Sequence, residues 1–207
     1  MIEDRIQRAR VQVRFARNVV ELRDRSGYPQ HLAADRAGLH RTEVSLLERR
    51  LRVPRLETIL RLAGGVDAEP WELLEGLAWN LDREGGEALD AHDDKVVAAG
   101  LAWVTRSVGS VLLPAERFGL LLTRERLHAR CTQTEVADVL SIDHVELSRY
   151  ERGAQEPRLD SILQLAAAVG TVPAELLSGM RWIPGITVIY GHYRVPSGRP
   201  GEVVDAH

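Results

Sequence analysis

Two stretches of the sequence carry the same hydrogen-bonding residues in the same order. Residues 29–50 read P-Q-H-L-A-A-D-R-A-G-L-H-R-T-E-V-S-L-L-E-R-R and continue L-R-V-P-R-L-E-T-I-L. Residues 132–153 read T-Q-T-E-V-A-D-V-L-S-I-D-H-V-E-L-S-R-Y-E-R-G and continue A-Q-E-P-R-L-D-S-I-L. They align without a gap at an offset of 103 residues, and about a third of the aligned positions are identical. The shared residues include Gln30/Gln133, Ala34/Ala137, Glu43/Glu146, Ser45/Ser148, Glu48/Glu151, Arg49/Arg152 and Pro54/Pro157. Lys95 is the only lysine, so almost every cation is an arginine, whose planar fork suits bidentate contact with a phosphate or a guanine edge. The rest of the chain offers no reaction chemistry. Asp90, Asp93 and Asp94 stand beside no nucleophile, and no glycine-rich phosphate loop follows a strand. His128 and Cys131 have a metal-site spacing but no second pair completes a ligand set. No catalytic residue, metal or cofactor is expected. These residue types recognise; they do not react.

The bulk composition sets the frame. The 207 residues can hold two small domains plus connectors, and 44% apolar content is ordinary for a folded chain. The net charge is −3, but it is unevenly spread: about +2 over residues 1–76 and about −6 over 77–179. One cysteine, Cys131, excludes an internal disulfide and suits a reducing cytoplasm. Met1 to Arg14 is charged throughout and no run approaches about 18 apolar residues, so neither a signal peptide nor a membrane span is expected.

Several elements must position the repeated residues. A first helix over 1–26 has Ile2, Ile6, Val13, Val19 and Leu22 at positions compatible with one apolar face. Gly27 and Pro29 stop it. Shorter helices are expected over 29–37 and 41–49, with the turn Gly38-Leu39-His40 between them. A fourth carries Leu56, Ile59, Leu60, Leu62 and Ala63, and a fifth opens at Pro70 and ends at Gly76, with Trp71 expected in the core beside Phe15, Phe118 and Trp182. The second copy follows the same plan with better caps: Thr132 to Glu135 and Asp143 to Glu146 have capping-box spacing, and Gly153 closes a helix where the first copy has Arg50. Between the copies, Gly85-Gly86 reads as a loop and Asp93 as the cap of a helix carrying Val97, Leu101, Val104 and Val108 on one face. After Gly179, runs on either side of Gly191-His192 signal a hairpin, and the tail from Pro196 should fray. The expected domains are 1–79, a partly helical connector over 80–113, 114–182, and a terminal hairpin with tail over 183–207.

At these residues the chain resembles the lambda-repressor/Cro-like helix-turn-helix family, often called XRE, over about 15–76 and 118–179. The resemblance implies an all-α fold of two tandem helix-turn-helix domains. It further implies that the second helix of each motif enters the major groove of double-stranded DNA. Gln30 and Gln133 would then lie against backbone phosphates. Base-reading candidates are Arg41, Thr42, Glu43 and Ser45 in the first copy, and His144, Val145, Glu146, Ser148 and Arg149 in the second. Arg49, Arg50, Arg52 and Arg55 would follow the backbone in copy one, while Arg149, Arg152 and Arg158 offset the acidity of copy two. Arg23 with Glu48, and Arg126 with Glu151, have the separation of the family's structural ion pair.

The expected function is a cytoplasmic, nucleoid-associated transcriptional regulator, a repressor reading two related half-sites, with homodimerisation through the connector or the hairpin. The residues leave three alternatives open. Only the first repeat binds DNA, the second serving as a dimerisation or partner-binding module. The units bind protein, as in an antitoxin-like regulator. Or the connector and hairpin enclose a pocket for an effector.

Overall fold

The computed structural model describes residues 2–81, 94–108, 112–183 and 188–190. Gly85-Gly86, Asp93, Gly191-His192 and the tail from Pro196 lie outside these residues. Among the described residues the architecture is all-α with one two-stranded hairpin. Repeat one comprises α1 (Ile2–Arg25), α2 (Gln30–Arg36), α3 (Arg41–Glu48), α4 (Leu56–Gly65) and a 3-10 turn over Pro70–Leu74. The connector helix α5 (Asp94–Val108) follows. Repeat two comprises α6 (Pro114–His128), α7 (Gln133–Leu140), α8 (His144–Glu151), α9 (Leu159–Ala168) and a 3-10 turn over Glu175–Leu177. The chain then pairs β1 (Arg181–Ile183) with β2 (Val188–Tyr190), antiparallel.

Equivalent residues fill equivalent cores. Phe15 and Phe118 are buried, as are Leu56/Leu159, Ile59/Ile162, Leu60/Leu163 and Leu62/Leu165. Ala34 and Ala137 are buried where α2 meets α3 and α7 meets α8, and only a small side chain lets those helices approach closely. Start signals act as the sequence suggests. Thr132 Oγ1 accepts from Glu135 N at 3.1 Å while Glu135 Oε2 accepts from Thr132 N at 2.6 Å, a complete capping box on α7. Asp143 caps α8 through Val145 N at 2.7 Å, without the reciprocal bond from Glu146. His40 does the same for α3, its Nδ1 accepting from Thr42 N at 3.2 Å.

Two expectations are corrected. Ile6 and Val13 do not join Val19 and Leu22; the buried stripe of α1 runs through Val11, Phe15, Val19 and Leu22, and Ile6 and Val13 are exposed on the other side. The helix has apolar residues on two faces, and only one meets a neighbour. Trp71 is half exposed rather than core, because the segment winds as a 3-10 helix that turns Pro70, Leu73 and Leu74 inward and leaves position 71 outward. The run before Gly191-His192 pairs upstream, β2 lying antiparallel to β1 with Trp182 opposite Ile189; the expected turn at Gly191-His192 lies outside the described residues.

The two repeats are locked together reciprocally. Leu56 N donates to Pro157 O at 3.0 Å and Leu159 N donates to Pro54 O at 2.9 Å, forming an antiparallel bridge between Arg55 and Arg158. Each partner is the repeat-equivalent of the other, so this contact is isologous, as across a two-fold axis. It also resolves a local need. The first N–H groups of a helix have no intrahelical acceptor, and α4 and α9 lack side-chain caps of their own at Arg55 and Arg158. The opposite repeat supplies the carbonyl. Glu156 adds to this for α4 alone, its Oε1 accepting from Glu57 N at 2.7 Å. Trp182 extends the junction. It leaves repeat two and packs on α4, with its backbone carbonyl against Gly64 and Arg61 stacked on its ring at 4.7 Å.

Candidate nucleic-acid interface

In each repeat a short helix and a turn present the following helix outward. α2 packs on α3 and α7 on α8, while α1 and α6 hold those second helices from behind. The orientation is fixed by a matched ion-pair cluster. Arg126 grips Glu151 with two bonds, Nε to Oε1 at 2.6 Å and Nη2 to Oε2 at 3.0 Å, and Arg126 Nη1 donates to Cys131 O at 2.9 Å. Arg23 Nε donates to Glu48 Oε1 at 2.8 Å and its Nη1 to Tyr28 O at 3.1 Å. The repeat-two pair, Arg126 with Glu151, is the more deeply buried, with side chains 9% and 5% exposed against 17% and 12%.

The opening glutamines belong to these clusters. Gln30 Nε2 donates to Glu48 Oε2 at 2.9 Å, and Gln133 Nε2 to Glu151 Oε2 at 2.6 Å. One side-chain N–H of each glutamine is thus committed to the fold.

None of the base-reading or backbone-following candidates is buried. Arg41, Thr42, Arg49, Arg50 and Arg52 are exposed in repeat one, as are His144, Val145, Arg149 and Arg152 in repeat two. Ser45, Ser148, Glu43 and Glu146 are half-buried. The two glutamates are held differently. Glu43 pairs with Arg52 at 3.6 Å. Glu146 Oε1 lies 3.3 Å from the Tyr150 hydroxyl, which accepts from Gln155 Nε2 at 2.9 Å. Burial raises the Tyr150 pKa above its ordinary value, so the phenol keeps the proton it shares toward this cluster. Arg49 Nε and Arg152 Nε each donate to the carbonyl one turn back, of Ser45 at 3.3 Å and Ser148 at 3.2 Å. Those bonds leave the outer guanidinium nitrogens of each arginine at the ends of α3 and α8.

The bridge between Arg55 and Arg158 lies in the two loops that follow α3 and α8. Both arginines are exposed, and Arg55 pairs with Glu156 at 3.7 Å. The sequence names them singly; their meeting is invisible there because it joins positions 103 residues apart. Glu156 carries no sequence signal for its capping role, since the helix it caps is in the other repeat.

This geometry, two helix-turn-helix units each with an exposed second helix, defines a tandem DNA-binding protein. A helix-turn-helix domain family matches residues 117–178, and a second helix-turn-helix family matches residues 19–67. Together they cover both repeats, and the chain belongs to the XRE, lambda-repressor/Cro-like type of helix-turn-helix regulator. No curated protein and no solved structure matches it. Among the described residues no helix is long and apolar enough to cross a membrane, and no group of three or more metal-ligating side chains gathers.

Proposed function

We propose that the chain is a sequence-specific repressor that reads two related but unequal half-sites of double-stranded DNA with the two units of a single chain. The observation that carries this reading is the reciprocal bond pair between Leu56 and Pro157 and between Leu159 and Pro54. A two-fold relation between readers corresponds to an inverted repeat in the DNA, with half-sites about one helical turn, or 34–36 Å, apart. In repeat one, Arg41 would take guanine O6 and N7, Thr42 a thymine methyl, and Glu43 a cytosine N4. In repeat two, Arg149, Val145 and Glu146 would do the same from slightly different positions, with His144 and Ser148 beside them. Gln30 and Gln133 would anchor the helix starts on phosphates. Arg49, Arg50 and Arg52 would follow the backbone of one half-site and Arg152 that of the other, with Arg55 and Arg158 over the midpoint. The half-sites differ because Arg41/His144 and Thr42/Val145 differ, while Glu43/Glu146 and Ser45/Ser148 match. Repression needs nothing more than occupancy of the duplex so covered.

The test is selection of bound sequences from a random duplex pool by the full chain and by Arg41→Ala and Arg149→Ala. A bipartite inverted motif is expected, each variant relaxing one half at a discrimination loss of about 1–3 kcal/mol. A single short motif that ignores Arg149→Ala would make repeat two a partner-binding module. No enrichment would overturn the reading.

A further inference from the structure

One face of α1 is apolar and uncovered, and the same face of its repeat-equivalent is not. On α6 that stripe carries Leu120, Thr123 and Leu127, all buried, with α5 lying along it. Gly100 of α5 sits against Leu127, Val104 is buried, and Asp94 pairs with Arg130 at 2.8 Å. In α1 the equivalents of Leu120 and Leu127 are Arg17 and Asp24, both exposed, so no connector helix is needed there. Earlier on the same stripe, however, come Ile6, Ala9 and Val13, lining a shallow hollow of about 470 Å³ with Arg10, Arg14 and Arg17. Ile6 is 41% and Val13 47% exposed.

We propose that this stripe is a self-association surface, on which α1 of a second copy of the chain lies antiparallel. Three observations favour that occupant. The spacing of Ile6, Ala9 and Val13 alternates three and four residues, the period at which two helices keep a continuous seam. In an antiparallel pair, Ile6 of each copy faces the small Ala9 of the other, so large meets small. The charges then decide the direction. Glu3, Arg10 and Arg14 share one flank of the stripe, and neither Glu3 nor Arg10 has an ion-pair partner among the described residues. An antiparallel pair sets Glu3 of one copy between Arg10 and Arg14 of the other. A parallel pair sets arginine beside arginine, which is unfavourable. The extension that carries Ile6 and Ala9 has no counterpart in α6, which starts at the equivalent of Val11. The dimer so formed holds four reading units, but its formation does not depend on DNA.

Analytical ultracentrifugation of the full chain without DNA, over about 1–200 μM, should find a reversible monomer–dimer equilibrium. Val13→Glu and Ile6→Glu should each weaken it by about tenfold or more, with unchanged circular dichroism and melting temperature because both sites are exposed. Glu3→Arg and Arg10→Glu should each weaken it, and the double variant should restore it. A chain that stays monomeric over this range would overturn the proposal, as would a dimer indifferent to Val13→Glu. So would a double variant no better than either single one.

Discussion

Repeat one surrounds its exposed helix α3 with cations, and repeat two surrounds α8 with structure. Arg41, Arg49, Arg50, Arg52 and Arg55 lie on or just beyond α3, offset by Glu43. On and beyond α8 stand Arg149, Arg152 and Arg158 with Asp143, Glu146 and Glu156 among them. Local order runs the other way. Repeat two has the complete capping box on α7, an aspartate cap on α8 and the more buried ion pair, and Gly153 where repeat one has left-handed Arg50, although Arg130 and Ser141 are left-handed where repeat one has Gly27 and Gly38. It also lends Glu156 and Pro157 to the start of α4. The division teaches that two copies of one fold need not be optimised alike. A unit that attracts a polyanion tolerates weak caps if its neighbour supplies the missing hydrogen bonds.

The junction is where the comparison breaks most readily. Trp182 is buried on α4, yet its Nε1 is buried with no hydrogen-bond partner among the described residues. Trp182→Ala removes a large aromatic and should cost about 3–5 kcal/mol. It should also separate a single thermal transition into two, repeat one melting first. Trp182→Phe keeps most of the apolar contact and deletes the unsatisfied donor, so it should cost far less. Calorimetry of both variants checks this; equal losses would mean that the indole N–H, not the ring surface, matters.

The ion-pair clusters come next. Glu151→Ala leaves Arg126 buried without a counter-charge and should cost about 3–5 kcal/mol. Glu48→Ala should cost less, about 1–3 kcal/mol, because Arg23 is more exposed and keeps Asp24 at 2.9 Å, where repeat two has Leu127. Urea unfolding of the two variants gives the difference directly, and an equal or reversed order would remove the claim that repeat two is the scaffold.

How much of this the sequence discloses follows from the range of each interaction. Helix limits, caps, the buried alanines and the Arg–Glu clusters depend on neighbours within a turn or on the repeated spacing, and they are legible. The side on which α1 is buried is not, since Val11 and Val13 are equally apolar and only the tertiary neighbour chooses between them. Trp71 misleads because one turn of 3-10 helix breaks the 3.6-residue period. The Arg55–Arg158 bridge and the Glu156 cap join distant positions and leave no local mark. At the reading surface the accessible residues are legible by type, whereas the capture of Gln30 and Gln133 by glutamates depends on side-chain geometry.

The smallest effect separates stability from attraction. Arg50 adopts φ 65° where Gly153 adopts φ 67°, a left-handed conformation that disfavours any residue with a Cβ. Arg50→Gly relieves that strain while freeing the unfolded chain, so the net gain should be modest, about 0.5–1 kcal/mol. The reverse exchange is not symmetrical. A Cβ on Gly153 would meet Glu116 Cα at 2.5 Å and N at 2.6 Å, both backbone, so Gly153→Ala should lose about 1–3 kcal/mol. If Arg50 is kept for its charge, Arg50→Gly should raise the melting temperature and lower DNA affinity together. The slope of log K against log salt should then flatten by about 0.9, the loss of one phosphate contact. A variant that is more stable and binds equally well at every salt concentration would mean that Arg50 faces no phosphate, and that repeat one's strain serves nothing at the duplex.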